Sequence, residues 1–268
     1  MTDRDRHDAW DAGSSYEIYM GRWSRQVAPR FLDWLDAPDG RRWLDVGSGT
    51  GALSAAILAG RKPQSLIAVE PSESLLAQAR ANVTDGRAEF LLGDAQDLPL
   101  PDASVDVVAS ALVLNFVPDR NKALSEMRRV AAPGGTIGFY VWDYPGGGMQ
   151  LMQAFWEAAN ALDPKAGNLS EDRRFPFCTR QQLVELASAS GLDEVRSCAI
   201  EIPTVFTDFH DYWHPFTLGV GPAPSYCTSL APELRQRLRD RLDATLPRGA
   251  DGSIPLTAKA WAVRGSTP

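Results

Sequence analysis

Trp43-Leu44-Asp45-Val46-Gly47-Ser48-Gly49-Thr50-Gly51 is the stretch whose reading decides the fold. Apolar residues bracket one aspartate, and three glycines follow at every second position. The apolar run reads as a strand, and the glycines as a tight turn that lets backbone approach a ligand closely. Ala52 to Ala59 reads as a short helix, with Gly60 as its C-terminal stop. Strand, glycine turn and helix N-terminus are the parts that hold nucleotide-like ligands. Gly47, Gly49 and Ala52 also fit G-x-G-x-x-G/A, so the turn by itself leaves a dinucleotide and an adenosine-type ligand both open.

The chain downstream repeats one rhythm. A first strand covers about 42 to 46, and a second, Leu66 to Val69, ends at Glu70. An acid 19 residues after Gly51, at a strand end, is placed to accept both hydroxyls of a ribose. Ser72 is a good N-cap for a helix from Glu73 to Ala81 that turns Leu75, Leu76 and Ala79 inward. Ala88 to Leu92 is a third strand, running into Gly93-Asp94-Ala95-Gln96-Asp97-Leu98-Pro99. Asp94 there can accept a hydrogen bond from an exocyclic amine such as the adenine N6. The alternative is a turn aspartate bonding its own backbone, which is how Asp97 reads. Ser104 to Ser110 is a buried fourth strand, and the apolar run continues to Phe116. Asp119 caps a helix with Ala123, Leu124, Met127, Val130 and Ala131 on one face, stopped by Pro133-Gly134-Gly135. Thr136 to Trp142 is the fifth strand. This alternation argues a parallel sheet with helices on both faces, whose ligands bind beyond the carboxyl ends of the strands. Gly47, Glu70, Asp94, Asn115 and Asp143 all fall at that edge.

The flanks read differently. Residues 1 to 15 are polar, and Tyr16 to Trp23 is rich in aromatics. Val27, Phe31, Trp34 and Leu35 then share one helical face; Pro29 suits the first turn of that helix better than its middle. Tyr16, Tyr19 and Trp23 serve either the core or a ligand. After the fifth strand, Asp143-Tyr144-Pro145 and three glycines lead to a helix at about 149 to 162 and a charged, proline-bearing loop, 163 to 178. Thr179-Arg180-Gln181-Gln182 is a capping box for a helix ending at Gly191. Strands at Val195 to Val205 and Ile254 to Val263 are separated by an insertion, 207 to 250. It carries Phe209, Tyr212, Trp213, Phe216 and a charged helix, 231 to 245. It reads as a lid over a pocket or as a small satellite core.

Composition narrows the function. The 268 residues are 44% hydrophobic and 23% charged, ordinary for a globular protein with one large α/β domain. A net charge of -7 disfavours nucleic acid as a partner. Cys178, Cys198 and Cys227 form no C-x-x-C, so neither a zinc knuckle nor a disulfide framework is indicated and a reducing, cytoplasmic setting is expected. The charged N-terminus is no signal peptide, and no apolar run approaches a membrane span.

Leu44 to Gly51, Val69-Glu70-Pro71-Ser72, Gly93 to Pro99 and the Pro133-Gly134-Gly135 stop resemble, in order and spacing, the motif set of the class I S-adenosylmethionine-dependent methyltransferases. Tyr19-Met20-Gly21-Arg22-Trp23 is similar to the N-terminal helical cap of small-molecule members. The resemblance implies a Rossmann-like, doubly wound, mostly parallel seven-stranded sheet with helices on both faces and a small cap. It divides the chain into an N-terminal cap, 1–39, and a methyltransferase domain, 40–268, with cap insertions at about 144–178 and 207–250. It implies S-adenosyl-L-methionine as cofactor and a small-molecule acceptor, with no nucleic acid or membrane partner and the oligomeric state open. Asp45, Gly47, Ser48 and Gly49 would meet the cofactor at the turn. Glu70 would bind the ribose, Pro71 pack near the adenine, and Asp94 with the Ala95 amide read the adenine edge. Leu112 and Asn115 would lie near the methionine moiety, while Tyr19 and Arg22 would cover the cofactor or meet its carboxylate.

Electrostatics favour a methyl donor over a dinucleotide. A sulfonium tolerates acids around the turn, whereas Asp45 would repel a pyrophosphate. An NAD(P)-dependent oxidoreductase and a non-catalytic S-adenosylmethionine-binding protein remain the alternatives. No catalytic residue is assigned. Candidates for a base are His210, His214, Asp143 and Tyr144, and His7 lies in the polar terminus. His210-Asp211-Tyr212-Trp213-His214 mimics a zinc-protease pattern, but with no third ligand evident no metal is expected.

Overall fold

The computed structural model describes residues 17–268. The expectations for residues 1 to 15, for His7 and for Tyr16 lie outside the described residues. The strands are β1 (Arg42–Val46), β2 (Ser65–Glu70), β3 (Ala88–Leu92), β4 (Val105–Ala111), β5 (Ala131–Trp142), β6 (Asp193–Phe206) and β7 (Ile254–Ser266). The helices are α1 (Arg22–Leu35), α2 (Ala52–Gly60), α3 (Glu73–Asn82), α4 (Arg120–Val130), α5 (Gln150–Leu162), α6 (Arg180–Ala189), α7 (Phe209–Trp213), α8 (Pro222–Ser229) and α9 (Pro232–Thr245), with a one-turn helix at Glu171–Arg174 between α5 and α6. Two compact units result. A sheet unit holds Ser24–Trp142, Phe177–Ile200 and Ala260–Pro268, and an aromatic unit holds, among the described residues, 17–23, Asp143–Pro176 and Glu201–Lys259.

The seven strands form one sheet in the order β3-β2-β1-β4-β5-β7-β6. β1 to β5 pair in parallel, and β7 runs antiparallel to β5, from Thr136↔Ser266 to Trp142↔Ala260. The chain leaves β1 toward β2 and β3, then returns to β4 on its other side. This reversal opens a crevice at the carboxyl ends of β1 and β4, the position where open α/β sheets take ligands. The N-caps form as read: the Ser72 hydroxyl accepts from Leu75 N, Asp119 from Lys122 N and Thr179 from Gln182 N. The reciprocal half of the Thr179 capping box is replaced, since the Thr179 amide donates to Phe177 O at 2.7 Å.

Two boundaries differ from the sequence reading. α4 ends at Val130, before Pro133-Gly134-Gly135, and β5 already begins at Ala131. Tertiary bonds decide this, because the Thr267 hydroxyl donates to Ala132 O at 2.6 Å and accepts from Gly135 N at 2.9 Å. Pro29 lies in the interior of α1, not its first turn. Burial outweighs the missing backbone donor: Val27, Phe31 and Leu35 are sealed from water, and Phe31 sits 4.8 Å from the Tyr140 ring. Gly138 on β5 permits this approach, since a Cβ there would stand 2.5 Å from Leu35 Cδ1.

The aromatic unit has a core of its own. Phe155 of α5 stacks on Phe216 at 4.3 Å, Tyr212 of α7 lies 5.4 Å from Phe216, and Phe206 joins Tyr212 at 5.2 Å. The aromatics of the 207–250 insertion thus build the satellite core. The 163–178 stretch is more ordered than a plain loop, with a 3-10 turn at Ala166–Leu169 followed by the helix Glu171–Arg174. Among the described residues no helix is long and apolar enough to cross a membrane.

Candidate functional site

The glycine turn between β1 and α2 is pinned from several sides. Gly47, Gly49 and Gly51 all have positive φ, at +75°, +54° and +90°. The Gly47 and Ser48 amides donate to Val69 O at 2.8 and 3.1 Å, and the Asn82 amide donates to Thr50 O at 2.9 Å. A Cβ on Gly47 would strike Val113 Cγ2 at 2.4 Å, so the loop after β4 presses directly on this turn. A Cβ on Gly49 would meet nothing within 4 Å. One face of a rigid turn is therefore open.

Two acids lie beneath it. Glu70, at the end of β2, accepts from Gly49 N at 2.9 Å with one carboxylate oxygen and from Ser72 N at 3.0 Å with the other. Burial raises its pKa while those two amides oppose the rise. Asp45 is fully buried in β1 and accepts the Ser54 hydroxyl of α2 at 2.7 Å. Burial pushes its carboxyl up to about 7; the Ser54 bond lowers it, and the neighbouring charge of Glu70 adds to the rise.

The polar inventory here is incomplete. Asp45 Oδ1, the Ser48 hydroxyl and both ends of the Asn115 carboxamide are buried with no hydrogen-bond partner among the described residues. Buried polar groups are nearly always paired, and an orphan costs about 1–3 kcal/mol. These orphans lie on β1, on its turn and on the β4 loop that touches it, while others, Trp142 Nε1 and Thr204 Oγ1 among them, lie elsewhere. Leu112, which opens that loop, has φ +62° while its N–H is held on Tyr140 O at 2.8 Å. A left-handed leucine is strained, and such strain collects at ligand sites.

Farther along the edge, Asp94 makes the bond of a turn aspartate and still leaves its carboxylate open to a ligand. Its Oδ1 accepts from Gln96 N at 2.7 Å, while the carboxylate stays exposed. Ala95 beside it is buried and Pro71 is exposed. The fold thus brings Asp45, Gly47, Ser48, Gly49, Glu70, Leu112 and Asn115 to the β1/β4 crevice, with Pro71, Asp94 and Ala95 beyond β2 and β3.

Tyr19, Arg22, Asp143, Tyr144, His210 and His214 belong to the aromatic unit. Tyr19 packs on Phe216 at 5.8 Å with its buried hydroxyl unpartnered among the described residues. Arg22 pairs with Asp211 at 2.8 Å and lies over Trp23 and Phe206, leaving Nε and one terminal nitrogen unpartnered there. Asp143 is engaged, since Lys259 Nζ reaches it at 2.7 Å and Gly146 N donates to it at 2.9 Å. His210 and His214 stack 5.7 Å apart, and the Asp211 between them is taken by Arg22 and by Thr207 N. Tyr144 packs on Phe175 at 5.5 Å.

Glu171 escaped the sequence reading. It sits among charged residues in a stretch without periodicity, yet it is buried, and it accepts from Trp156 Nε1 at 2.5 Å. Burial pushes its carboxyl up to about 7, against the lowering by that indole bond. A serine followed by an acid was a faint helix-start signal there; nothing local told of its burial.

A doubly wound sheet with orphaned polar groups at its switch point defines a nucleotide-type α/β binding protein. Residues 44–139 match the model of the methyltransferase domain. Over 221 residues the chain is 31% identical to the malonyl-[acyl-carrier protein] O-methyltransferase of Geobacter sulfurreducens, covering 80% of this chain and 77% of that one. An uncharacterized methyltransferase of Mycobacterium tuberculosis is 35% identical over 136 residues, 50% of this chain; the chain spans about half (54%) the length of that relative. In fold it is similar to the phosphoethanolamine N-methyltransferase 2 of Haemonchus contortus solved with S-adenosyl-L-methionine. The TM-score is 0.62 at 17% identity, over 100% of this chain and 60% of that one. The chain belongs to the class I S-adenosylmethionine-dependent methyltransferases, whose cofactor is S-adenosyl-L-methionine. The site fits that cofactor: an open Gly49 face, a buried acid for a cation, and an unsatisfied carboxamide and hydroxyl for a polar amino-acid tail.

Proposed function

We propose that this protein transfers a methyl group from S-adenosyl-L-methionine to a small organic acceptor. When bound, the cofactor supplies an electrophilic methyl group on a sulfonium centre. The chain then has to hold it, align the acceptor and exclude water. Glu70 serves the ribose hydroxyls, its carboxylate preset by the Gly49 and Ser72 amides. Asp94 and the Ala95 amide read the adenine edge, with Pro71 packed beside it. Asn115, Ser48, Leu112 and the turn Gly47 to Gly49 hold the amino-acid part, and Asp45 supplies a counter-charge. The negative net charge and the relative named for an O-methyl transfer to a carrier-borne malonyl group support a small acceptor.

The orphaned carboxamide of Asn115 carries this reading, because a buried amide lacking every partner implies an absent polar ligand. The test is calorimetric titration with S-adenosylmethionine, S-adenosylhomocysteine and NAD on the wild type, Glu70→Ala and Asp94→Ala. Micromolar binding of both adenosyl compounds, weakened in both variants, is expected. Binding of NAD alone would overturn the reading in favour of a dehydrogenase.

A further inference from the structure

The aromatic unit carries a half-open pocket of about 340 Å³, lined among others by Tyr144, Met149, Met152, Trp156, Glu157 and Glu171. That volume is at the small end for ligand sites and suits a molecule of about one ring. Glu171 is 3% exposed; one carboxylate oxygen accepts from Trp156 Nε1, and the other has no partner among the described residues. An ionised carboxylate buried in this way is costly unless a cation or a further donor completes it. The Tyr19 hydroxyl feels the same charge, since burial and then Glu171 raise its pKa.

The lining chooses between a cation and a neutral donor. The lining carries Glu157, Glu171 and Asp172 against one arginine, Arg173, whose guanidinium already donates to Asn168 Oδ1 at 2.9 Å. Arg174, outside the lining, also lowers the pKa of the Glu171 carboxyl by its charge but makes no hydrogen bond to its second oxygen. Acids therefore dominate the wall. Tyr144 and Trp156 bring aromatic rings to the lining, where rings favour a cation, and Met149 and Met152 give a polarisable, adaptable bed for an aromatic ring.

We propose that this pocket is a recognition site for a small arylalkylamine, its ammonium held by the unpartnered oxygen of Glu171. The pocket and Glu171 both belong to the aromatic unit, so this binding stands apart from the methyl-transfer reading. Tyramine and its uncharged analogue 4-ethylphenol are the probes, titrated calorimetrically into the wild type, Glu171→Gln and Trp156→Phe, each also titrated with S-adenosylhomocysteine. Tyramine is expected to bind the wild type about tenfold tighter than 4-ethylphenol, the scale of one charge-assisted hydrogen bond. Glu171→Gln should erase that preference with S-adenosylhomocysteine affinity unchanged, and Trp156→Phe, which keeps a ring but removes the donor that lowers the pKa of the Glu171 carboxyl, should weaken it. Equal binding of the two probes, no binding of tyramine, or a preference surviving in Glu171→Gln overturns the proposal. Should Glu171→Gln fail to fold, the two probes on the wild type decide alone. Loss of S-adenosylhomocysteine binding in the wild type would instead sink the methyl-transfer reading, separately from the amine result.

Discussion

Asn115→Leu should raise the stability of the ligand-free protein and weaken its hold on cofactor. Leucine keeps the branch at Cγ and deletes both unpartnered polar ends. Relief of an unsatisfied buried amide is worth about 1–3 kcal/mol, at roughly 2–4 °C of Tm per kcal/mol for a chain of this size. The strained Leu112 turn and the Val113–Gly47 contact are untouched by the change, so the loop keeps its place. Hydrogen bonds from the carboxamide to a charged ligand contribute about 1.5–3 kcal/mol, so affinity for S-adenosylhomocysteine should fall about tenfold to a hundredfold. Scanning fluorimetry without ligand and calorimetry with it read the two effects. A lower Tm with unchanged S-adenosylhomocysteine affinity would refute the reasoning, for it would make the carboxamide a structural group.

Asp45 gives the site a pH dependence. Its carboxyl is raised to about 7 in the fold, against about 3.9 in an unfolded chain. The folded state therefore keeps a proton that the unfolded state has lost, and this group's contribution to stability falls as pH rises from about 4 through 7. A cationic ligand prefers the ionised form, so S-adenosylmethionine affinity should rise with pH toward about 7, by at most about tenfold per unit, and then level off. Calorimetry on Asp45→Asn should show that rise flattened; an unchanged pH profile counts against the counter-charge role. The glycines separate fold from ligand in a third test. Gly47→Ala drives a Cβ into Val113 and should cost both stability and cofactor binding, whereas Gly49→Ala meets open space and should lose binding with only about 1–2 kcal/mol of stability. Equal losses of melting temperature in the two would contradict the open face.

The crevice was legible because it is written locally. A strand, a glycine turn and a capped helix each follow from short-range rules, and the acid at the end of β2 falls at a fixed distance from the turn. The boundary after α4 was not, because Thr267, more than 130 residues away, draws Ala132 and Gly135 into β5. Pro29 misled in the same way: local cost argued against a helix interior, and packing on Gly138 overrode it. Asp143 looked available at a strand end until Lys259, remote in sequence, engaged it. Glu171 was silent since its state depends on Trp156, 15 residues back, whose ring in turn packs on Tyr226, about 70 residues on. Local chemistry announces backbone geometry, while the state of a side chain depends on who arrives from elsewhere.

The aromatic unit is stitched from three separate stretches, the last ending at Lys259. Its ring contacts join residues as distant as Tyr19 and Phe216. On the ribosome the strands β1 to β5 can pair while the chain is still growing, but this core lacks Phe216 and Tyr226 until late in synthesis. Non-local contacts form slowly, and partly made ones leave apolar surface bare. A nascent chain halted before about residue 210 would display Phe155 and Trp156 with no partners from the later segment, and would be a natural client for chaperones.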